Sequence, residues 1–416
     1  MATVTDAGNA RVLLFTFAIG ALIALVEANG GVRGFVSWVE RRRWVTDGRR
    51  ARVLAWLIGL VIFIESNITV LVAGSVCRPL FDRFRVSREK LAYIIDSTSA
   101  PVCVLIPFNA WGAFILGLLL SLGVEDAVPV LVATIPLNFY ALAAFALAGT
   151  VAWRDLEIGP MKAAEERTRD GRLHWDHAQA IADPEDMAPP PAAGIPQRPV
   201  NMVLPIAVMV LTMPVAMWIT GAGDVMAGSG STSVLWAVLA GIGAASVLSL
   251  AQRLLDLERI GQVALQGAGA LTGMALVLLL AITLGAVTQE MGTGTYVAGV
   301  VGGRVPPALL LPLLFVVAGG IAFATGSSWG TFAIMIPVAV PLAAALGLPI
   351  APFVAASLSG GVFGDHCSPI SDTTIVASLA SASDHIEHVR TQLPYALLAG
   401  AAAAAAFALT GLWLSL

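Results

Sequence analysis

The chain has 416 residues, of which 57% are hydrophobic and only 12% charged, with a formal net charge of -4. The charged fraction is about half that of an ordinary soluble domain, which argues against a soluble enzyme, and so small a net charge speaks against a nucleic-acid partner. Apolar runs of about 20 residues, enough to cross roughly 30 Å of hydrocarbon, recur from Leu13 to Leu416. The chain therefore reads as an all-α polytopic membrane protein.

The first predicted span runs from Val12 to Ala28, and the residues around it carry no small-residue cleavage pattern of a signal peptide. The basic stretch after it, Arg41, Arg42, Arg43, Arg49, Arg50 and Arg52, belongs in the cytoplasm by the positive-inside rule. Next comes an apolar segment, Val53 to Cys77, closed by a second basic cluster from Arg78 to Lys90. A single crossing would put one cluster outside, whereas two arms of about a dozen residues would form a re-entrant hairpin and keep both inside. The hairpin is the preferred reading. Its tip is Glu65-Ser66-Asn67, and lipid cannot satisfy such groups, so the tip must face protein or a water-filled cavity.

Leu91 to Leu122 is predicted to cross outward, interrupted by Asp96-Ser97-Thr98-Ser99-Ala100-Pro101. Pro101 removes a backbone donor and disfavours helix at Ala100, which predicts a break. Val128 to Trp153 returns, and the charged stretch Arg154 to Arg198, with Pro189, Pro190 and Pro191 near its end, is expected to be a flexible cytoplasmic linker. A helical pair, Asn201 to Thr220 and Val234 to Leu250, precedes the basic patch Arg253 to Arg259.

From there the pattern starts again. Val287 to Ala298 echoes the segment around Val26 and aligns Glu290 with Glu27. Thr325, Ser327 and Ser328 stand where the Glu65 tip stood, and Phe363 to Thr374 parallels the broken run from Asp96 to Pro101. Three ordered echoes predict two repeats, and counting spans makes them inverted, each with a re-entrant hairpin and a broken helix, a plan that puts a transport site at the repeat interface. The expected divisions are 1–152 for the first repeat (hairpin about 53–77, broken helix about 91–122), 153–200 for the linker, 201–262 for the helical pair and 263–416 for the second repeat (hairpin about 306–345, broken helix about 350–380). On this placement every Lys and Arg except Arg11 and Arg304 is cytoplasmic.

Two stretches carry a resemblance: Arg78-Pro-Leu followed by Ser87 to Pro101, and Gly364-Asp365-His-Cys-Ser-Pro-Ile-Ser-Asp372-Thr-Thr374. With Thr325 to Thr331 and Asp384 to Pro394, they make the chain similar to the NhaC-type sodium/proton antiporter family. The resemblance implies sodium for proton exchange in the inner (plasma) membrane, among ion transporters with paired re-entrant hairpins. The family also includes proteins that exchange organic acids, and where it often has paired aspartates before the first tip, this chain has Glu65-Ser66.

Sodium is a hard cation and calls for oxygen ligands. The broken runs offer them: Asp96, Ser97 and Thr98 from one, and Asp365, Ser368, Ser371, Asp372 and Thr373 from the other, with Na+ expected at Asp96, Asp365 and Asp372 and the hairpin tips closing the cavity. A carboxylate in a low-dielectric cavity, next to another carboxylate, titrates nearer physiological pH, so sodium and proton exclude one another. His366, Glu27 and Glu290 are candidate proton relays, although a histidine at a break can simply bond a carbonyl, and the two glutamates lie near span ends.

Other features invite plainer readings. Ser99, Ser378 and Ser381 are expected to bond their own backbone, and Gly319-Gly320 and Gly360-Gly361 to let helices pack closely. Cys77, Cys103 and Cys367 have neither disulfide nor zinc spacing, and His174 and His177 read as solvated loop residues. No resident cofactor is implied: sodium ion and proton are cargo, the lipid bilayer is the partner, and a homodimer is compatible with the sequence. The competing function is a sodium-coupled organic-anion or amino-acid carrier using Asn67, Asn109, Ser327 and Ser328. No Arg or Lys is expected at mid-membrane depth to hold a carboxylate, which favours a cation. An intramembrane hydrolase is disfavoured because Pro369 interrupts the helix that would align Asp365 with Asp372.

Overall fold

The structure is a computed structural model and describes residues 7–41, 45–63, 66–107, 109–175, 196–224, 228–272 and 305–414, with scattered positions between 275 and 299. Its longer helices run in chain order as α1 (Ala7–Ala28), α2 (Gly31–Arg41), α3 (Gly48–Val61), α4 (Ser66–Arg83), α5 (Arg88–Asp96), α6 (Ala100–Leu105), α7 (Ala110–Ser121), α8 (Ala127–Thr134) and α9 (Phe139–Arg154). They continue as α10 (Pro160–Arg169), α11 (Val200–Thr220), α12 (Gly230–Ala251), α13 (Leu257–Ala270), α14 (Pro307–Thr325), α15 (Ser328–Ala345), α16 (Ile350–Cys367), α17 (Asp372–Ser381) and α18 (His385–Leu414). The protein is all-helical, with no strand among the described residues.

Five of these helices, α11, α12, α14, α15 and α18, are long and apolar enough to cross a membrane. They turn large apolar side chains outward, among them Leu211, Val247, Leu409 and Trp413, each at least 65% exposed. A soluble protein would bury such residues, whereas hydrocarbon accepts them.

The chain folds into two compact units, each assembled from three stretches rather than from consecutive halves. The first comprises Met1–Arg43, Pro107–Val132 and Pro190–Met291. In it α1 packs on α12 and α13. A Cβ on Gly20 would lie 2.3 Å from the Gly267 carbonyl oxygen, so the α1 and α13 backbones touch only because neither residue has a side chain. Where α1 ends, the Asn201 amide donates to the Asn29 carbonyl (3.0 Å) and the Gln252 amide to Asn201 (2.5 Å), which satisfies polar groups that lipid could not.

The second unit comprises Trp44–Ile106, Ala133–Pro189 and Gly292–Leu416. Its centre is the packing of α16 on α14 and α15, with α18 against α14. Cβ atoms on Gly360 and Gly364 would fall 2.3 Å from the Phe315 carbonyl oxygen and 2.0 Å from that of Gly319, so α16 lies directly on the α14 backbone.

Four interruptions of helix matter in this unit. After α3 the chain leaves helix at Ile62, and the Thr69 hydroxyl of α4 turns back to the Ile62 carbonyl. Between α14 and α15, Gly326 takes a left-handed conformation (φ 66°) and Ser327 caps α15 by accepting the Gly330 N–H (3.2 Å). Helix α5 stops at Asp96 and α6 restarts with Pro101 in its first turn, where the missing N–H costs nothing. Helix α16 stops at Cys367, and Ser371 caps α17 through the Thr374 N–H.

The expectation of a flexible linker after Arg154 needs correction for the first part of that stretch. Helix α10 buries Met161, Ala164, Glu165, Arg167 and Thr168 and packs on α5 and α18. Arg167 grips Glu89 with two hydrogen bonds of 2.8 and 2.9 Å while its guanidinium lies 4.7 Å from the Trp175 ring centre. The docking surface sets ion pairs beside Met161 and Ala164, so it looks like solvated linker in sequence. His177 and Pro189 to Pro191 lie outside the described residues.

A candidate ion site at two helix breaks

Asp96 ends α5 with its side chain fully buried. Its Oδ2 accepts a 2.6 Å hydrogen bond from the Gln392 amide nitrogen and lies 3.6 Å from His388 Nε2, both on α18. The same amide nitrogen donates to the His366 carbonyl (3.0 Å) near the end of α16. His366 Nδ1 is paired with the Tyr140 hydroxyl of α9 at 2.9 Å. One side chain of α18 thus ties the end of α5 to the end of α16.

Asp365 is also fully buried and has a different neighbourhood. Its Oδ2 accepts from the hydroxyls of Ser328 (2.7 Å) and Thr373 (3.4 Å), and Thr373 pairs with Ser371 at 3.1 Å. Ser328 opens α15 and Thr373 is the second residue of α17, so the carboxylate gathers the starts of two helices. Asp96 Oδ1, Asp365 Oδ1, Gln392 Oε1 and His366 Nε2 have no hydrogen-bond partner among the described residues. Buried polar groups are nearly always satisfied, and an unmet one costs about 1–3 kcal/mol. Three of these atoms, on Asp96, Gln392 and His366, belong to residues that the Gln392 amide ties together, which points to atoms held ready for something that binds there.

The other sequence candidates stand differently. Asp372 is exposed and accepts the Thr373 N–H (2.9 Å) in the first turn of α17, yet it lies near enough for its charge to act on Asp365. Ser97 is buried beside Asp96, while the Thr98 hydroxyl bonds the Ile94 carbonyl of its own helix (2.8 Å). Ser368 reaches across to the Phe323 carbonyl (2.8 Å) and so fixes the α16 break against α14. Thr325 is exposed and bonds its own backbone. Ser66 is buried at the start of α4; Glu65 and the Asn67 side chain lie outside the described residues. Glu27 and Glu290 belong to the first unit, where both are exposed. Ser99, Ser378 and Ser381 donate to the carbonyls of Asp96, Thr374 and Ala377 on their own segments.

Sequence reasoning missed His388, Gln392 and Tyr140. The first two stand four residues apart, hence on one face of α18, and polar residues sharing a face at the start of a long apolar helix were the available signal. Tyr140 offered none.

A second charged group lies at the other end of α5. Lys90 is fully buried, with Asp155 at 2.6 Å, Glu165 at 3.2 Å and Glu157 at 3.7 Å. The three carboxylates lie close enough to hold a metal, but the Lys90 ammonium is already among them. Burial alone would lift the Asp155 carboxyl, yet Lys90 first, then Arg52 and Arg169, outweigh it and hold the group below its ordinary 3.8.

Apolar spans with ionisable groups gathered inside them at discontinuous helices define a multi-pass membrane transporter. The chain belongs to the Na+/H+ antiporter family, whose sequence profile matches residues 102–412. It is 34% identical to an uncharacterized protein of Haemophilus influenzae over 97% of this chain and 79% of that protein. It is also 32% identical to the malate-2H(+)/Na(+)-lactate antiporter of Bacillus subtilis, over 34% of this chain and 31% of that one. In fold it resembles the YdaH transporter of Alcanivorax borkumensis (TM-score 0.66, 16% identity), over 99% of this chain and 86% of that one.

Proposed function

We propose that this protein exchanges sodium ions for protons across the inner membrane, with Asp365 and Asp96 as the groups for which the two ions compete. The observation that carries the reading is the surroundings of Asp365: a fully buried carboxylate bonded by the Ser328 and Thr373 hydroxyls, with one oxygen left without a partner. A hydroxyl that donates to a carboxylate still has lone pairs and can turn them to a cation, so the set suits a hard alkali ion. A proton on the carboxylate removes the charge the ion needs, and a bound ion keeps the proton away. Two inverted repeats bringing the breaks of α5–α6 and α16–α17 to one centre would give that competition alternating access.

The second reading is a carrier that moves an organic anion with sodium, and the Bacillus relative's malate and lactate favour it. Against it, the buried cations Arg52, Lys90 and Arg167 each already face a carboxylate of this chain.

Proteoliposomes with an imposed proton gradient separate the two. Sodium-dependent collapse of the gradient with no organic acid present is expected; collapse that requires malate or lactate together with sodium would hand the function to the second reading.

A further inference from the structure

We infer that Gln392 is a ligand of the transported cation and sets which alkali ion the site prefers, an assignment that rests on the sodium/proton reading. The amide's orientation is fixed by chemistry. Its nitrogen faces two acceptors, Asp96 Oδ2 at 2.6 Å and the His366 carbonyl at 3.0 Å, and turning the amide over would set an oxygen against both. Both N–H groups are thereby used, and Oε1 is held away from them, fully buried and without a donor among the described residues.

Two further oxygens are in the same condition, Asp96 Oδ1 and Asp365 Oδ1. Gln392 touches the first of these residues directly and the second through the backbone, since His366 follows Asp365. Three buried oxygens that lack donors, one neutral and two acidic, come from α18, α5 and α16. Oxygens in that condition invite a cation, while the unpartnered imidazole nitrogens of His366 and His388 beside them donate or accept according to tautomer. Amide oxygens are hard, neutral donors suited to sodium or lithium.

The nitrogen contacts add a second consequence. An ion drawing on Oε1 polarises the amide and strengthens both N–H bonds, so occupancy tightens the tie between the ends of α5 and α16. Gln392 would then sense the ion and hold the breaks together at once.

The test measures half-saturating sodium and lithium for proton-gradient collapse in proteoliposomes of wild type, Gln392→Leu and Gln392→Asn. For Gln392→Leu, half-saturating sodium should rise about tenfold, with a change in the sodium-to-lithium ratio; Gln392→Asn, which keeps the oxygen on a shorter arm, should fall between. Melting of the detergent-purified variants with NaCl or LiCl gives the same ratio without transport, so a variant that folds but does not exchange still reports. An unchanged ratio, or equal weakening for both ions, overturns the inference and leaves the exchange reading standing. Wild type indifferent to both ions overturns the exchange reading and the inference with it.

Discussion

Ser328 and Asp365 are joined by a 2.7 Å hydrogen bond that runs from the first turn of α15 to the last turn of α16. The hydroxyl also leans toward the Gly361 carbonyl at 3.3 Å, so the serine is fixed by α16 from two directions. Replacing it leaves a buried carboxylate oxygen with only the longer Thr373 contact. Ser328→Ala should therefore weaken sodium-dependent exchange by about 10- to 100-fold, the range of a hydrogen bond to a charged group. Wild-type half-saturation in Ser328→Ala liposomes would count against the site.

The carboxylates should rank by burial. Asp365→Asn and Asp96→Asn remove fully buried charges and are expected to abolish exchange, whereas Asp372→Asn alters an exposed group bonded to its own helix start and should retain part of it. Equal loss in all three, at equal yields of folded protein, would put Asp372 on the same footing as the other two.

The Glu89–Arg167 pair is buried, at 2% and 3% side-chain exposure. Breaking such a pair from one side strands the other charge and costs about 3–5 kcal/mol, while removing both charges costs far less. Arg167→Met should therefore lower the melting temperature more than the double change Glu89→Gln with Arg167→Met. A double variant that melts no higher than the single one would show that the bidentate contact contributes little.

Acid should loosen the Lys90 cluster at a particular point. Because the folded protein holds Asp155 below 3.8, its contribution is complete above that value and disappears as pH falls through the depressed one. Stability should thus be insensitive to this group from pH 7 to 5 and decline below about 4, and Asp155→Asn should flatten the acid limb. The group is partly exposed, so the effect is modest; an identical acid limb in the variant would discount it.

Gly364 has no room to grow. With the Gly319 carbonyl oxygen 2.0 Å from where a Cβ would sit, Gly364→Leu must push α16 off α14. Overpacking of this kind costs about 1–3 kcal/mol or more, and because Asp365 is the next residue, exchange should be lost with it. Normal melting and normal exchange in that variant would refute the tight crossing.

The membrane class, both helix breaks and the acidic residues at them were legible because Pro101, Pro369 and polar runs inside apolar segments violate what lipid tolerates. Asp96 and Asp365 were found that way. What escaped is long-range. His388 and Gln392 lie in a segment that reads as the polar lead-in to the last span, and only the fold brings Gln392 to Asp96, 296 positions away. Asp372 shares a break with Asp365 but is the more exposed of the two, and spacing cannot tell which side of a helix start faces inward. The docking of α10 escaped too, since its partners, Glu89 and Lys90, stand in a stretch that reads as a basic cluster on the cytoplasmic side.

Helix α5 has nine residues and so spans about 13 Å at 1.5 Å per residue. Glu89 and Lys90 occupy one extremity and Asp96 the other. A rod of two and a half turns transmits displacement instead of absorbing it, so a shift of residues 155–169, paired to Glu89 and Lys90, would carry through to Asp96.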